Sequence, residues 1–208
     1  MNQSMQNRKE DELELNRAAY DTHAENFASK FDQIGPRLED MQRCLQLCGQ
    51  EKPSVLEIGC GNGREAEALL PLVGSYVGID ISSRLLEIAR QRVPEGRFEL
   101  ADVTEYEFPA DLDIIFAFAS LLHLDREQMA EVLQKVSSSL KSGGVIHLSL
   151  QHGPYRRQEK DDGFGRRVFY FYDLPSLEEL MPQSLETVWS KVQTKREKGW
   201  LEIVFRKK

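Results

Sequence analysis

The densest concentration of residues able to do chemistry lies where Glu57 and Ile58 lead into Gly59-Cys60-Gly61-Asn62-Gly63. Glycines at alternate positions let a backbone turn sharply and come close to a ligand with no Cβ in the way. The apolar run Ser54–Ile58 before them and the helical pattern from Arg64 behind them place this turn between a strand and a helix. A helix N-terminus at such a turn favours negative charge or lone pairs. Asp80 follows 80 − 59 = 21 residues after the first glycine. A carboxylate there accepts hydrogen bonds from both hydroxyls of a ribose. Asp102, after a third short apolar run, is placed to take the exocyclic amine of a purine, or is simply a solvated loop acid. Together the residues describe a crevice for a nucleoside.

Such a crevice needs elements to hold it. Ser54–Ile58, Ser75–Asp80, Arg97–Ala101, Leu112–Ala117 and Val145–Leu150 read as buried strands. Helical patterns separate them: one from Pro36 to Cys48, one over Arg64–Leu70, one capped by Ser82 or Ser83 and running to about Val93, and one opened by Asp125 and Gln128 and stopped at Gly143-Gly144. A capping box at Ser176–Glu179 starts a short helix that ends at Pro182. Leu185–Val192 and Trp200–Arg206 alternate as two last strands, with a hairpin turn at Lys198-Gly199. Strand–helix alternation implies parallel strands with right-handed crossovers and helices on both faces. The expected fold is α/β: a doubly wound seven-stranded sheet, mostly parallel, with an antiparallel edge strand and an N-terminal helical cap. Ligands of such sheets bind beyond the carboxyl ends of the strands.

A nicotinamide dinucleotide site also has a glycine loop and an acid about 20 residues on, but its G-x-G-x-x-G spacing asks for glycine at 64, where this chain has Arg64. The sequence instead resembles the class I S-adenosylmethionine-dependent methyltransferases. V-L-E-I-G-C-G-N-G at Val55–Gly63 is similar to their first cofactor motif, and G-I-D at Gly78–Asp80 to their ribose-binding acid. A-D at Ala101–Asp102 is similar to their adenine-side acid, and L-K-S-G-G at Leu140–Gly144 to their L-K-P-G-G, with Ser142 in place of proline. The resemblance runs from about Tyr20 to the C-terminus. Tyr20-Asp21…Ala24…Phe27 resembles the cofactor-closing helix of the small-molecule, quinone-biosynthesis-like branch. It implies a Rossmann-like fold, S-adenosyl-L-methionine as cofactor, and cofactor contacts from Tyr20, Glu57, Gly59, Cys60 (through its backbone), Gly61, Asp80, Ile81, Asp102, Val103 and Phe118. Glu57 either touches the cofactor or only anchors the glycine loop. Residues 1–35 are expected as a helical cap and 36–208 as the methyltransferase domain, with a lid-like connection over 151–172.

The implied reaction is methyl transfer to a small-molecule acceptor by in-line displacement, which depends on alignment and water exclusion. A base is needed only for an acceptor that carries a proton. His123 and His152, each following a strand, are the candidate bases; His123 is equally able to pack against the sheet edge, and His152 faces the same rim. Phe27 on the cap, and Arg156 and Arg166 in the long connection, are candidate acceptor contacts, the arginines for a carboxylate or phosphate. The alternatives are a nicotinamide-dependent oxidoreductase and an inactive cofactor-binding partner protein.

Composition limits the partners. The chain has 208 residues, with 27 Lys plus Arg against 34 Asp plus Glu, a formal charge of −7. That balance gives no footprint for nucleic acid or an anionic membrane. No apolar run is long enough to span a bilayer, and the polar N-terminal segment does not read as a signal peptide. Three cysteines make no disulfide framework, which points to a reducing cytoplasm. Cys44 and Cys48 have no second ligand pair nearby, so no metal is expected. After Phe118 there is no N-P-P-Y or D-P-P-Y, which argues against amino-methylation of adenine or glutamine. A monomer or a homodimer is expected.

Overall fold

Nine strands form one sheet in the computed structural model, which describes residues 3–195 and 197–208. Along the chain they are β1 (Ser54–Ile58), β2 (Ser75–Asp80), β3 (Arg97–Leu100), β4 (Leu112–Phe118), β5 (Leu140–His152), β6 (Arg156–Asp161), β7 (Arg166–Tyr172), β8 (Leu185–Lys195) and β9 (Lys198–Lys207). The helices are α1 (Gln3–Thr22), α2 (Ala24–Ile34), α3 (Leu38–Cys48), α4 (Arg64–Leu69), α5 (Ser83–Arg92), α6 (Arg126–Ser139) and α7 (Leu174–Glu178). The parallel ladder runs β3-β2-β1-β4-β5, so the order reverses at β1. β9 pairs antiparallel with β5, and β8 antiparallel with β9.

Side-chain alternation along the strands splits the core in two. Leu56, Ile115 and Ile146 face α6, packing with Met129, Val132 and Leu133. Val55, Ile114 and Val145 face the other way, onto α3, α4 and α5 through Met41, Leu69 and Leu86. Helices on both faces explain why β4 is buried along its whole length.

The sheet is larger than the expected seven strands. The connection over 151–172 is not an open loop: β6 and β7 pair as an antiparallel hairpin, and β7 joins the end of β5 at Gln151 and His152. β7 is buried from Arg167 to Tyr172 and packs against α1, where Tyr170 Oη donates to Glu12 and Asn16 Oδ1 accepts from the Val168 amide. The capping box near Pro175 belongs to Asp173 and Ser176 rather than to Ser176 and Glu179, because Asp173 accepts from the Ser176 amide at the true N-terminus. The helix expected to reach Gly143-Gly144 ends at Ser139, and Leu140 already has extended backbone, so the glycines lie within β5. The last hairpin turns between Lys195 and Lys198, two residues earlier than expected, because those two residues pair across it. Ser82 caps α5, and the Asp125–Gln128 capping box makes both of its bonds.

α1 and α2 form a helical cap over the carboxyl ends of β1 and β2; residues 1–2 of the expected cap lie outside the described residues. Asp21 accepts from Ser82 Oγ and the Arg84 amide. Asn62 Nδ2 donates to Asp32 at 3.0 Å, and Arg64 Nη1 to the Phe31 carbonyl at 2.8 Å. These bonds fasten the cap directly to the glycine turn. No described helix is long and apolar enough to cross a membrane.

Candidate active site

A cavity of about 910 Å³ opens beyond the carboxyl ends of β1, β2 and β4, beneath the cap. That volume suits a nucleoside-sized ligand and its co-substrate. Its floor is the turn after β1. Gly59, Gly61 and Gly63 have φ of +75°, +54° and +76°, a region in which side-chain-bearing residues are strained. Gly59 is the tightest of the three. A Cβ there would lie 2.3 Å from Ser120 Cβ, and Ser120 Oγ donates to the Ile58 carbonyl at 2.6 Å. The Gly59 and Cys60 amides both donate to Ile79, tying the turn to the end of β2.

Asp80 crosses this turn. Its Oδ2 accepts from the Gly61 amide and its Oδ1 from the Ser82 amide, each at 2.9 Å. Each oxygen thus keeps acceptor capacity towards the cavity it lines. Burial pushes the Asp80 carboxyl up to about 6, against the pull of the two amides. Asp102 lines the same cavity, with Oδ1 accepting from the Thr104 amide, so it serves its own loop as well. Ile81, Val103 and Phe118 complete the wall.

Glu57 is buried and accepts from Tyr76 Oη at 2.6 Å. Burial and the neighbouring Glu65 raise its carboxyl well above the usual range. The Cys60 thiol, buried and near Asp80, is likewise raised, which suits a residue contributing only its backbone.

The cap supplies an aromatic roof, with Tyr20 and Phe27 at 4.7 Å between ring centroids and Phe27 and Phe31 at 5.8 Å. His123 sits against this roof. Its Nε2 meets Tyr20 Oη at 2.9 Å and its Nδ1 the Val168 carbonyl at 2.5 Å. A carbonyl only accepts, so Nδ1 carries the proton and Nε2 accepts from the tyrosine. Burial drives the His123 pKa down to about 4, so the ring is neutral near pH 7.

The other candidate residues fall elsewhere. His152 does not line the cavity; it ends β5 beside Gly199. Arg156 stacks on Phe171 at 3.5 Å and Arg166 pairs with Glu159; both side chains are exposed, Arg156 on the face of β6 and β7 that carries Phe169, Phe171 and Arg167, and Arg166 on the other. The inward position belongs to Arg167. Its guanidinium is buried in the cavity wall, over the rings of Tyr20, Phe27 and Phe169. Nη2 pairs with Asp162 at 2.6 Å, Nη1 reaches Tyr20 Oη at 3.4 Å, and Nε has no hydrogen-bond partner in the protein. No spacing marked it: Arg167 shares its face with Phe169 and Phe171 and Arg166 shares its own with Val168 and Tyr170, two equally apolar sets.

Residues 55–144 match the family described as "Methyltransferase domain". The stretch from β1 to the glycines of β5 is thus similar to a methyltransferase domain. A trans-aconitate 2-methyltransferase of Variovorax paradoxus is 34% identical over 123 residues, which is 57% of this chain and 45% of that protein. The chain therefore spans less than half the length of that curated relative. An S-adenosylmethionine-dependent methyltransferase from Clostridium acetobutylicum superposes with a TM-score of 0.68 at 14% identity, covering 81% of this chain and 89% of the other. The N-methyltransferase NodS of Bradyrhizobium japonicum, in complex with S-adenosyl-L-homocysteine, gives 0.63 at 20% identity, covering 82% and 86%. Those structures establish the fold. None of these relatives carries a quinone-biosynthesis name. S-adenosylmethionine fits the residues of this cavity: Asp80 offers two acceptor oxygens for a diol, and the glycine turn admits close approach.

Proposed function

We propose that this protein transfers a methyl group from S-adenosylmethionine to a small organic anion, a carboxylate by preference. The observation that carries the reading is one cavity holding both the Gly59–Gly61–Asp80 cradle and the buried guanidinium of Arg167. When bound, the cofactor supplies an electrophilic methyl group on a sulfonium sulfur. Asp80 would hold the ribose hydroxyls, and Asp102 with Val103 would border the base. Arg167 would receive the acceptor, since its unpartnered Nε–H is a donor that desolvation makes expensive to leave unmet. Tyr20, Phe27 and Phe31 would exclude water and face the positive sulfur with their rings.

An ionised carboxylate has no proton to lose, so this reading requires no general base. It accords with a His123 whose accepting nitrogen is already engaged by Tyr20. His123 then holds the tyrosine hydroxyl in place instead of deprotonating an acceptor. The trans-aconitate methyltransferase name of the relative supports an acidic acceptor, as does the anion-binding role first assigned to the connection over 151–172, now moved from Arg156 and Arg166 to Arg167. A soluble monomer or homodimer working on small molecules, without nucleic acid or membrane, is part of the same proposal.

The test is methyl transfer from labelled S-adenosylmethionine to matched pairs of acceptors, each a carboxylate and its neutral amide. The proposal expects labelled product from the acids and little from the amides. Equal turnover of both members would refute the acceptor class, and no binding of the cofactor would refute the activity.

A further inference from the structure

A separate polar cluster lies beneath α3, where that helix packs on β5 and β9. His147 of β5 is fully buried, and neither ring nitrogen has a hydrogen-bond partner in the protein. Glu202 of β9 is fully buried too; its Oε1 takes Arg37, Lys195 and Gln193, while its Oε2 has no partner. Asp40 comes down from α3. His147 Nε2 stands 3.7 Å from Asp40 Oδ1 and 3.7 Å from Glu202 Oε2. Those separations are too long for hydrogen bonds.

Buried polar atoms are almost always paired, and each one left unmet costs about 1–3 kcal/mol. The spacing names what would meet them. A divalent ion holds nitrogen and carboxylate oxygen at about 2.0–2.2 Å, which in tetrahedral geometry sets its donors about 3.4 Å apart. The three donor atoms lie within 4.8 Å of one another, and the two measured separations need only a few tenths of an ångström of adjustment. Arg37 and Lys195 engage Glu202 on Oε1, which leaves Oε2 to the gap, whereas Arg43 bonds Asp40 Oδ1 at 2.7 Å and would share that oxygen with an ion. Asp40 and Trp200 also line the large cavity, which gives an ion a way in.

We propose that Asp40, His147 and Glu202 form a binding site for one first-row divalent cation, ligated by one imidazole nitrogen and two carboxylate oxygens. Zinc, cobalt, manganese and iron all accept such a donor set. The ion would pin α3 to β5 and β9, and with them the wall of the cavity. This inference stands apart from the methyl-transfer reading, since none of its ligands belongs to the cofactor cradle.

The test is titration of chelator-treated protein with Co²⁺, read by stoichiometry and by visible absorption. One ion per chain is expected, with weak d–d bands and no thiolate charge-transfer band, together with a rise in melting temperature. His147→Gln, Glu202→Gln and Asp40→Asn, each checked by far-ultraviolet circular dichroism, should bind at least tenfold more weakly. The wild-type spectrum decides the matter even where a buried variant does not fold. A thiolate band would assign the ion to Cys44 or Cys48 and overturn the proposal. Binding undiminished in the folded variants would also overturn it, as would no uptake.

Discussion

The Tyr20 hydroxyl donates to His123 Nε2 at 2.9 Å, linking the cap to the segment after β4 across the roof of the cavity. The bond fixes both the imidazole tautomer and the position of the cap. Tyr20→Phe keeps the ring but leaves a buried nitrogen unmet, at a cost of about 1–3 kcal/mol. The expected result is a lower denaturation midpoint with an unchanged m-value, and weaker cofactor binding as the cap loosens. Equal stability and affinity would show that the bond holds nothing.

Arg167 should govern acceptor recognition while its exposed neighbours do not. Arg167→Gln removes a charge-assisted hydrogen bond of about 1.5–3 kcal/mol, so kcat/KM for an acidic acceptor should fall about ten- to hundredfold. Arg156→Ala and Arg166→Ala should leave it within about twofold, since both side chains face solvent. Steady-state kinetics on the acid and amide pairs would separate the three variants. A loss shared equally by acids and amides would contradict a role in anion binding.

Asp80 makes a prediction with a defined direction in pH. Its carboxyl, raised to about 6 by burial, binds a proton more readily folded than unfolded. Its contribution to stability is therefore greatest in acid and falls as pH rises from about 4 to 6, by up to about 3 kcal/mol. Asp80→Asn should gain stability relative to wild type over that same interval, measured by urea unfolding. Cofactor binding should run the other way, since the ionised carboxylate is the better acceptor for hydroxyls. Wild-type affinity for S-adenosylhomocysteine should drop below about pH 6 and the variant's should not.

His123 is shifted in the opposite sense. Burial lowers its pKa to about 4, so the unfolded chain takes up a proton first as pH falls below the ordinary value of 6.5. The stability it contributes is complete above about 6.5 and is lost between there and 4. His123→Gln should flatten that part of the acid limb, measured by melting temperature against pH. An unchanged acid limb would contradict a neutral, buried imidazole.

The glycine-turn end of the cavity was legible in the sequence because its geometry is local. Gly59, Gly61 and Gly63 announce a turn that needs positive φ, and Asp80 follows at a fixed interval along one βαβ unit. The Arg167 end was not. Arg166 and Arg167 are adjacent, and only the pairing register of β6 with β7 decides which one turns inward. A one-residue difference in register exchanges the two faces of a strand, and nothing in the run from Arg166 to Tyr172 fixes that register alone. Asp40, His147 and Glu202 are scattered over three elements that meet only when α3 crosses β5 and β9, so no spacing reveals them. The extra hairpin hid because β6 is charged and exposed along most of its length and lacks the apolar alternation that marks a strand.

Gly59 tests the geometry of the turn. Gly59→Ala would place a methyl group against Ser120 in a backbone region unfavourable to alanine. The variant should lose about 1–3 kcal/mol of stability and bind cofactor product far more weakly. Full affinity in a stable Gly59→Ala protein would mean that the turn does not pack as described.

The most direct test of the central claim is calorimetric titration of the purified protein with S-adenosylhomocysteine and, separately, with NAD⁺. The account predicts one molecule of S-adenosylhomocysteine per chain, binding weakened by Asp80→Ala, and no heat from NAD⁺. Tight binding of NAD⁺, or S-adenosylhomocysteine binding indifferent to Asp80, would contradict it.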